Sequence, residues 1–232
     1  GTEGALLELA CFEAGTPVLS LPLFFTDAQR RHALEASGLS RFVTGGNATG
    51  LFSPSGPVAL PTGTARITFT SGTTGNPKGV CLSADHLVTV AEEVIRAVGS
   101  EHAGRHLALL PPGILLDTVA GFFATILAGG TYVCPPQALA GMSDPFRPDF
   151  ALMARQIAKW RITSLIIVPE LLAGLVAALE AGRASLPLLT LVAVGGARTP
   201  PTLIERARAL GLPVRQGYGL TETSPVITCN RR

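Results

Sequence analysis

Two rhythms of hydrophobic and polar positions alternate along the chain, one of helical spacing and one of short apolar runs. Leu6 to Ala14 follows the helical rhythm as an amphipathic segment and stops at Gly15, a residue suited to the left-handed position after a helix. Val18 to Leu21 reads as a short buried strand. Thr26 opens the next helix with Gln29 three residues on, the spacing of a capping box, and Gly38 closes it. Arg41 to Thr44 is predicted as a short strand. From Gly45 to Gly63 the chain is rich in Gly, Pro, Ser and Thr with little periodicity. That stretch reads as the connector between an N-terminal segment, residues 1–62, and a larger α/β core, residues 63–232.

In the core, Ala65 to Phe69 and Val80 to Leu82 read as strands around a glycine-rich loop. Ser83 caps a helix running to about Val98, with Gly99 as its stop. His106 to Leu110 is a strand ended by Pro111-Pro112. Ile114 to Leu127 is apolar on nearly every side, so it is buried between layers or lines an apolar cavity, and Gly129-Gly130 ends it. Thr131 to Cys134 is a strand and Pro135 to Pro148 is irregular. Asp149 caps a helix from Phe150 to Trp160. Thr163 to Val168 is a strand, and Pro169 takes the first position of a helix ending at Glu180. Leu188 to Val194, Pro201 to Leu210 and Val214 to Gln216 complete the alternation as strand, helix and strand. Uninterrupted apolar strands separated by helices predict an α/β fold of mostly parallel sheets flanked by helices, with right-handed crossovers. No internal repeat interrupts the pattern.

Composition narrows the function classes. The 232 residues are 47% hydrophobic and 15% charged with a net charge of +2, which excludes nucleic-acid binding through a basic field. Low charge and a mean hydropathy of +0.41 imply much buried surface, some of it surface that a further segment covers and that invites self-association when bare. Cys11, Cys81, Cys134 and Cys229 lie far apart and form no metal or redox pair, as expected of reduced thiols in a cytoplasmic protein. His102 and His106 lack an acidic or cysteine companion pattern and read as a solvated loop rather than a metal pair. No apolar run reaches the ~18–20 residues that cross a bilayer, and no signal-peptide pattern is visible. The abrupt Gly1 and Arg231-Arg232 read as cuts through a longer protein.

The chemistry concentrates in Thr70, Ser71, Gly72, Thr73, Thr74, Gly75, Asn76, Pro77, Lys78 and Gly79. Hydroxyl donors, exposed backbone N–H groups and one mobile cation suit a polyphosphate. Turn chemistry alone also explains Gly, Thr and Asn between two strands. The stretch departs from the ordinary P-loop because Pro77 precedes Lys78, Gly79 follows it and a β-branched residue comes next. Pro77 therefore directs the loop back into a strand, and a hairpin is expected rather than a helix N-terminus.

This loop resembles the phosphate-loop signature of the adenylate-forming superfamily of acyl-CoA synthetases, adenylation domains and luciferases. Gly195-Gly196-Ala197 is similar to the family's adenine-side turn, and Gln216-Gly217-Tyr218-Gly219-Leu220-Thr221-Glu222-Thr223 resembles its YGxTE motif. Leu6 to Pro22 is similar to the helix and strand upstream of the loop. The resemblance implies the large domain of such an enzyme, most like a fatty acyl-CoA synthetase, with ATP, Mg²⁺ and coenzyme A as cofactors. It implies that Lys78, Thr221 and Glu222 act in catalysis, Glu222 as the Mg²⁺ ligand and Thr221 at the α-phosphate. It assigns Thr70 to Gly75, Lys78, Gly195 to Ala197, and Gly217, Tyr218, Gly219 and Thr221 to nucleotide binding, with Tyr218 near the adenine. The acid is then a small carboxylic acid, a fatty acid if Ile114, Leu115, Val119, Phe122 and Phe123 line its pocket, since they favour an aliphatic tail, although interlayer packing explains the same residues. The family's ribose-binding aspartate motif and its C-terminal domain do not occur after Glu222, so the isolated chain is expected to be inactive or weakly active. A carrier-protein-loading acyl-AMP ligase and a non-catalytic nucleotide-binding fragment stand as alternatives. A dinucleotide oxidoreductase ranks far below them, since no GxGxxG follows the first strand.

Overall fold

The computed structural model describes residues 1–21, 25–43, 49–70, 77–111, 113–182 and 185–230. Helix α1 (Thr2–Glu13) ends as its glycine predicts. Gly15 takes φ 61°, its N–H donates to the Phe12 carbonyl, and the Thr16 N–H donates to the Cys11 carbonyl. Those two bonds are the Schellman pair that satisfies the last carbonyls of a helix. Strand β1 (Val18–Leu19) is shorter than the sequence suggests and only half buried. Helix α2 (Asp27–Ser37) carries the predicted capping box, with Thr26 and Gln29 exchanging bonds of 2.9 and 3.3 Å, and Gly38 closes it at φ 67°.

Strand β2 (Arg41–Val43) pairs antiparallel with β3 (Thr49–Leu51), which lies inside the stretch that showed no period. Gly50 faces Phe42, whose ring fills the place a side chain would take, so one aromatic does the packing for both strands. Strands β4 (Thr64–Thr70) and β5 (Lys78–Ser83) form an antiparallel hairpin, and β1 adds to β4 in parallel. Helix α3 (Ala84–Val98) begins only after β5, with Ser83 Oγ accepting from the His86 N–H at 3.3 Å.

The rest of the chain alternates as expected. Strand β6 (Arg105–Leu107) leads into a buried helical run that has π spacing over Asp117–Phe123 before α4 (Ala124–Leu127). Strand β7 (Thr131–Val133) follows, and a 3₁₀ turn at Gln137–Ala140 lies in the stretch read as irregular. Helix α5 (Phe150–Lys159) starts where Asp149 Oδ1 accepts from the Leu152 N–H at 2.8 Å. Then come β8 (Ser164–Ile167), α6 (Pro169–Glu180), β9 (Leu191–Val194), α7 (Pro201–Ala209), β10 (Val214–Tyr218) and β11 (Thr228–Cys229).

One six-stranded sheet, ordered β11-β10-β9-β8-β6-β7, organises the molecule. All its pairings are parallel except the short β10–β11 edge. One core joins Leu107, Leu165, Ile167 and Val192 to Met153 and Ile157 of α5 and to Leu172 and Leu175 of α6. A second core joins Leu82, Leu87 and Ala91 to Leu115, Val119, Phe122 and Phe123. Each such side chain stabilises the fold by about 1.5–3 kcal/mol on full burial. No helix among the described residues is long and apolar enough to cross a membrane.

A buried charge lies between these layers. Arg66 of β4 is 1% exposed, ion-pairs with Glu8 of α1, and donates to the Gly113 carbonyl at 3.4 Å. Burial lowers its guanidinium pKa to about 10. This pair ties α1 to β4 and reaches the segment that begins at Gly113.

Candidate functional site

In an open parallel sheet, ligands lie beyond the carboxyl ends of the strands. Two of the sequence motifs occupy that rim. Gly195 and Gly196 leave the end of β9, with the Gly195 N–H donating to the Ile167 carbonyl at 3.1 Å and Gly196 at φ 83°. Residues Gly217 and Tyr218 end β10, and Thr221–Thr223 form a 3₁₀ turn directly after it. The two motifs touch: a Cβ on Gly195 would stand 3.4 Å from the Gly217 carbonyl oxygen.

Local packing explains part of the glycine pattern without a ligand. A side chain on Gly219 would strike the Pro225 carbonyl, so Gly219 permits the tight return of residues 219–225. Gly196 needs its positive φ for the turn into residues 197–200. Gly195 and Gly217 face only moderate neighbours and instead open the rim.

The hairpin expected of the glycine-rich loop is present in its two legs. Thr70 and Lys78 pair across β4 and β5, and β5 packs against the Thr221–Thr223 turn. Ser71, Gly72, Thr73, Thr74, Gly75 and Asn76 lie outside the described residues. One partner of this hairpin escaped sequence reading: His32 Nε2 on α2 donates to the Pro77 carbonyl at 2.9 Å. Its ring also stands edge-on to Phe69 with centroids 6.0 Å apart. Forty-five positions separate His32 from Pro77, and nothing local announces the contact.

A cavity of about 1050 Å³ joins these elements. Its lining includes Thr70 and Pro77 from the hairpin, Gly195 and Gly196, and the run Gly217 to Glu222. Lys78 and Ala197 are exposed close by but do not line it. Tyr218 is 61% exposed, leaving an aromatic face uncovered at the rim. Glu222 is exposed in the first turn of its 3₁₀ segment and presents one carboxylate to the cavity. No group of three metal-ligating side chains exists among the described residues. A single carboxylate beside a phosphate site fits Mg²⁺, which takes one or two protein carboxylates and completes its shell with phosphate oxygens and water.

Below the rim the cavity runs along the sheet face towards α3 and the buried helical run. Ile114 and Leu115 line it, Leu115 also packing in the second core, whereas Val119, Phe122 and Phe123 belong to that core and do not line the cavity.

The histidines correct the sequence reading. His106 is 2% exposed on β6, not part of a solvated loop, and His102 is largely buried. His106 Nε2 meets Asp117 Oδ1 at 3.1 Å and its Nδ1 meets Ser164 Oγ at 3.1 Å. Tyr132 donates to Asp117 Oδ2 at 2.5 Å and stacks on the His106 ring at 5.8 Å. Burial, then the neighbouring Asp117 charge, pushes the Tyr132 phenol well above its ordinary range. The π spacing over Asp117–Phe123 and the bare Gly121 let the helix approach this network: a Cβ there would lie 2.6 Å from Asp117 Oδ1 and 2.7 Å from His106 Nε2.

Comparison with known proteins agrees with this geometry. Residues 53–232 match the family model described as AMP-binding enzyme. The chain is 33% identical over 176 residues to a long-chain-fatty-acid–CoA ligase from Thermus thermophilus, covering 75% of this chain and 31% of that protein. It is 32% identical over 178 residues to 4-coumarate–CoA ligase 2 of Oryza sativa subsp. japonica, covering 76% and 29%. The o-succinylbenzoate CoA synthetase of Bacillus subtilis, solved in complex with its acyl-adenylate intermediate, superposes with a TM-score of 0.79 at 25% identity. That match covers 99% of this chain and 49% of the solved one. The chain thus spans about a third of the length of these curated relatives.

Proposed function

The chain belongs to the AMP-binding enzyme family, and from that premise we propose that it supplies the carboxylate-activating site of an AMP-forming acid–thiol ligase. One observation carries the reading: a single cavity is lined by both legs of the glycine-rich hairpin, the Gly195-Gly196 turn and the Gly217 to Glu222 run. A carboxylate oxygen attacks the α-phosphorus of ATP, the bond to the bridging oxygen breaks, and pyrophosphate leaves with that electron pair. The acyl-adenylate then passes its acyl group to the thiol of coenzyme A, and AMP departs.

Attack of one anion on another needs charge to be offset where it grows. Lys78, where the glycine-rich loop re-enters β5, serves the β- and γ-phosphates that leave. Thr221 donates to the α-phosphate. Glu222 would hold Mg²⁺, which would supply positive charge to offset that of the phosphates. Each charge-assisted contact contributes on the order of 1.5–3 kcal/mol. Tyr218 and the Gly195 to Ala197 turn take the adenine. Ile114, Leu115 and Ile166 give the acid an aliphatic surround, which favours a fatty acid, in keeping with the name of the Thermus relative.

Calorimetry of the chain with AMP, ATP and NADH tests the reading. Binding of AMP and ATP with no comparable binding of NADH is expected. Preference for NADH would overturn the assignment in favour of a dinucleotide site. Trapping of an acyl-adenylate after incubation with ATP and acid distinguishes an active site from a nucleotide-binding fragment.

A further inference from the structure

Below the rim the aliphatic wall of the cavity carries a polar patch on the sheet face. Leu191 and Ala193 of β9 and Gly195 just after it line the cavity, as do Ser164 and Ile166 on β8. Ser164 pairs with Leu191, so both lie roughly 13 Å below the Gly195 rim at about 3.3 Å per residue. At that depth His106 and Ser164 join Leu191 in the wall, whereas Ile114, Leu116, Ile166 and Ala193 are all apolar. Both polar residues are nearly fully buried.

Hydrogen-bond directions at this patch follow from one another. A carboxylate only accepts, so Asp117 receives both the Tyr132 O–H and the His106 Nε2–H. In the tautomer with its proton on Nε2 the Nδ1 is bare, and the Ser164 O–H donates to it at 3.1 Å. Ser164 has spent its single proton, and its oxygen offers the cavity lone pairs alone. An alkyl terminus pressed against that oxygen would leave a buried acceptor without a partner, which is unfavourable. A hydroxyl there would satisfy it.

We propose that the acid taken by this cavity carries a hydroxyl on its tail, roughly 13 Å below the rim, and that the Ser164 oxygen is the acceptor that reads it. The inference rests on the carboxylate-activating reading and refines its acid from a plain aliphatic to a hydroxylated one. The Ser164, His106 and Asp117 series does not make Ser164 a nucleophile. Strand β8 is flanked by β6 and β9, its backbone N–H groups are engaged in the ladders, and no pair of donors is left to hold an oxyanion.

The test is calorimetric binding to the AMP-loaded chain of paired straight-chain acids, with and without a terminal hydroxyl, spanning about six to twelve carbons to bracket the depth. At one length the hydroxy acid is expected to bind on the order of tenfold more tightly than its alkyl counterpart. Ser164→Ala should bring that ratio to about one, and Ser164→Cys, which keeps the shape with a weak acceptor, should do the same. The ratio is the readout, because general loosening of the site lowers both affinities together. Equal affinities in the unmodified chain, or a ratio that survives both substitutions, overturns the proposal while leaving nucleotide binding intact. Failure of AMP to bind removes the parent reading first, and this one with it.

Discussion

Thr70 and Lys78 stand opposite one another on the last rung of the β4–β5 hairpin, so the two legs of the glycine-rich loop leave the sheet side by side. The Lys78 side chain is exposed there, free to follow a phosphate. Lys78→Ala is expected to weaken ATP binding about tenfold or more, and AMP binding far less, from the loss of a charge-assisted contact. Calorimetry with both nucleotides checks this. Equal losses would place the lysine elsewhere than at the leaving phosphates.

Glu222→Gln preserves shape and removes the carboxylate charge. In the unmodified chain ATP affinity should rise when Mg²⁺ replaces a chelator in the buffer. In the variant that rise should vanish, since a neutral amide is a poor ligand for a hard cation. A variant that keeps the full Mg²⁺ response would clear Glu222 of the metal role.

Glu8→Gln leaves the guanidinium of Arg66 buried with its ion pair broken. Breaking such a pair from one side costs about 3–5 kcal/mol. Urea unfolding should show that loss. The double change Glu8→Leu with Arg66→Met should recover much of it, because it removes the desolvated charge together with its partner.

The Tyr132 phenol is held above its ordinary value of 10.0 in the folded state, chiefly by burial. Its contribution to stability is fully present below that value and is lost as pH rises beyond it, because only the unfolded chain releases the proton. Tyr218→Phe leaves Tyr132 as the sole tyrosine of the chain. In an alkaline titration of that variant, tyrosinate absorbance should appear together with the loss of helical circular dichroism. Ionisation well before unfolding would contradict the buried Asp117 contact.

Gly121→Ala places a methyl group 2.6 Å from Asp117 Oδ1 and 2.7 Å from His106 Nε2. Neither group has room to retreat, since both are buried. Overpacking of this kind costs typically about 1–3 kcal/mol, and thermal unfolding should report it. An unchanged midpoint would mean that the network is looser than its distances indicate.

What could be read from the sequence was local. Thr26 with Gln29, Ser83, Asp149, Pro169 and the glycines at 15 and 38 act on residues within a turn of themselves, and each sits where it was expected. The apolar runs of β8 and β9 announced a sheet covered on both faces for the same reason. Arg66 was hidden because its partners are Glu8 and Gly113, far off along the chain. His106 looked ordinary because Asp117 and Ser164 reach it only through the sheet. The β3 strand was missed because Gly50 has no side chain to mark the alternation and Phe42 supplies the packing from across the hairpin. The rim motifs were visible as glycines, but only the folded chain separates Gly219, which serves a turn, from Gly195 and Gly217, which open the site.

The order of strands in the large sheet also sets how it can be assembled. After β6 and β7 pair, each later strand adds to one growing side in chain order: β8, then β9, then β10, then β11. Every intermediate of that sequence exposes a bare parallel edge, the kind of surface on which other chains pair. The two-residue antiparallel β11 is the last to arrive and leaves only a short stub of edge behind it. Strands added in chain order would close that side with β11, and a chain released before Cys229 would leave β10 as a bare edge.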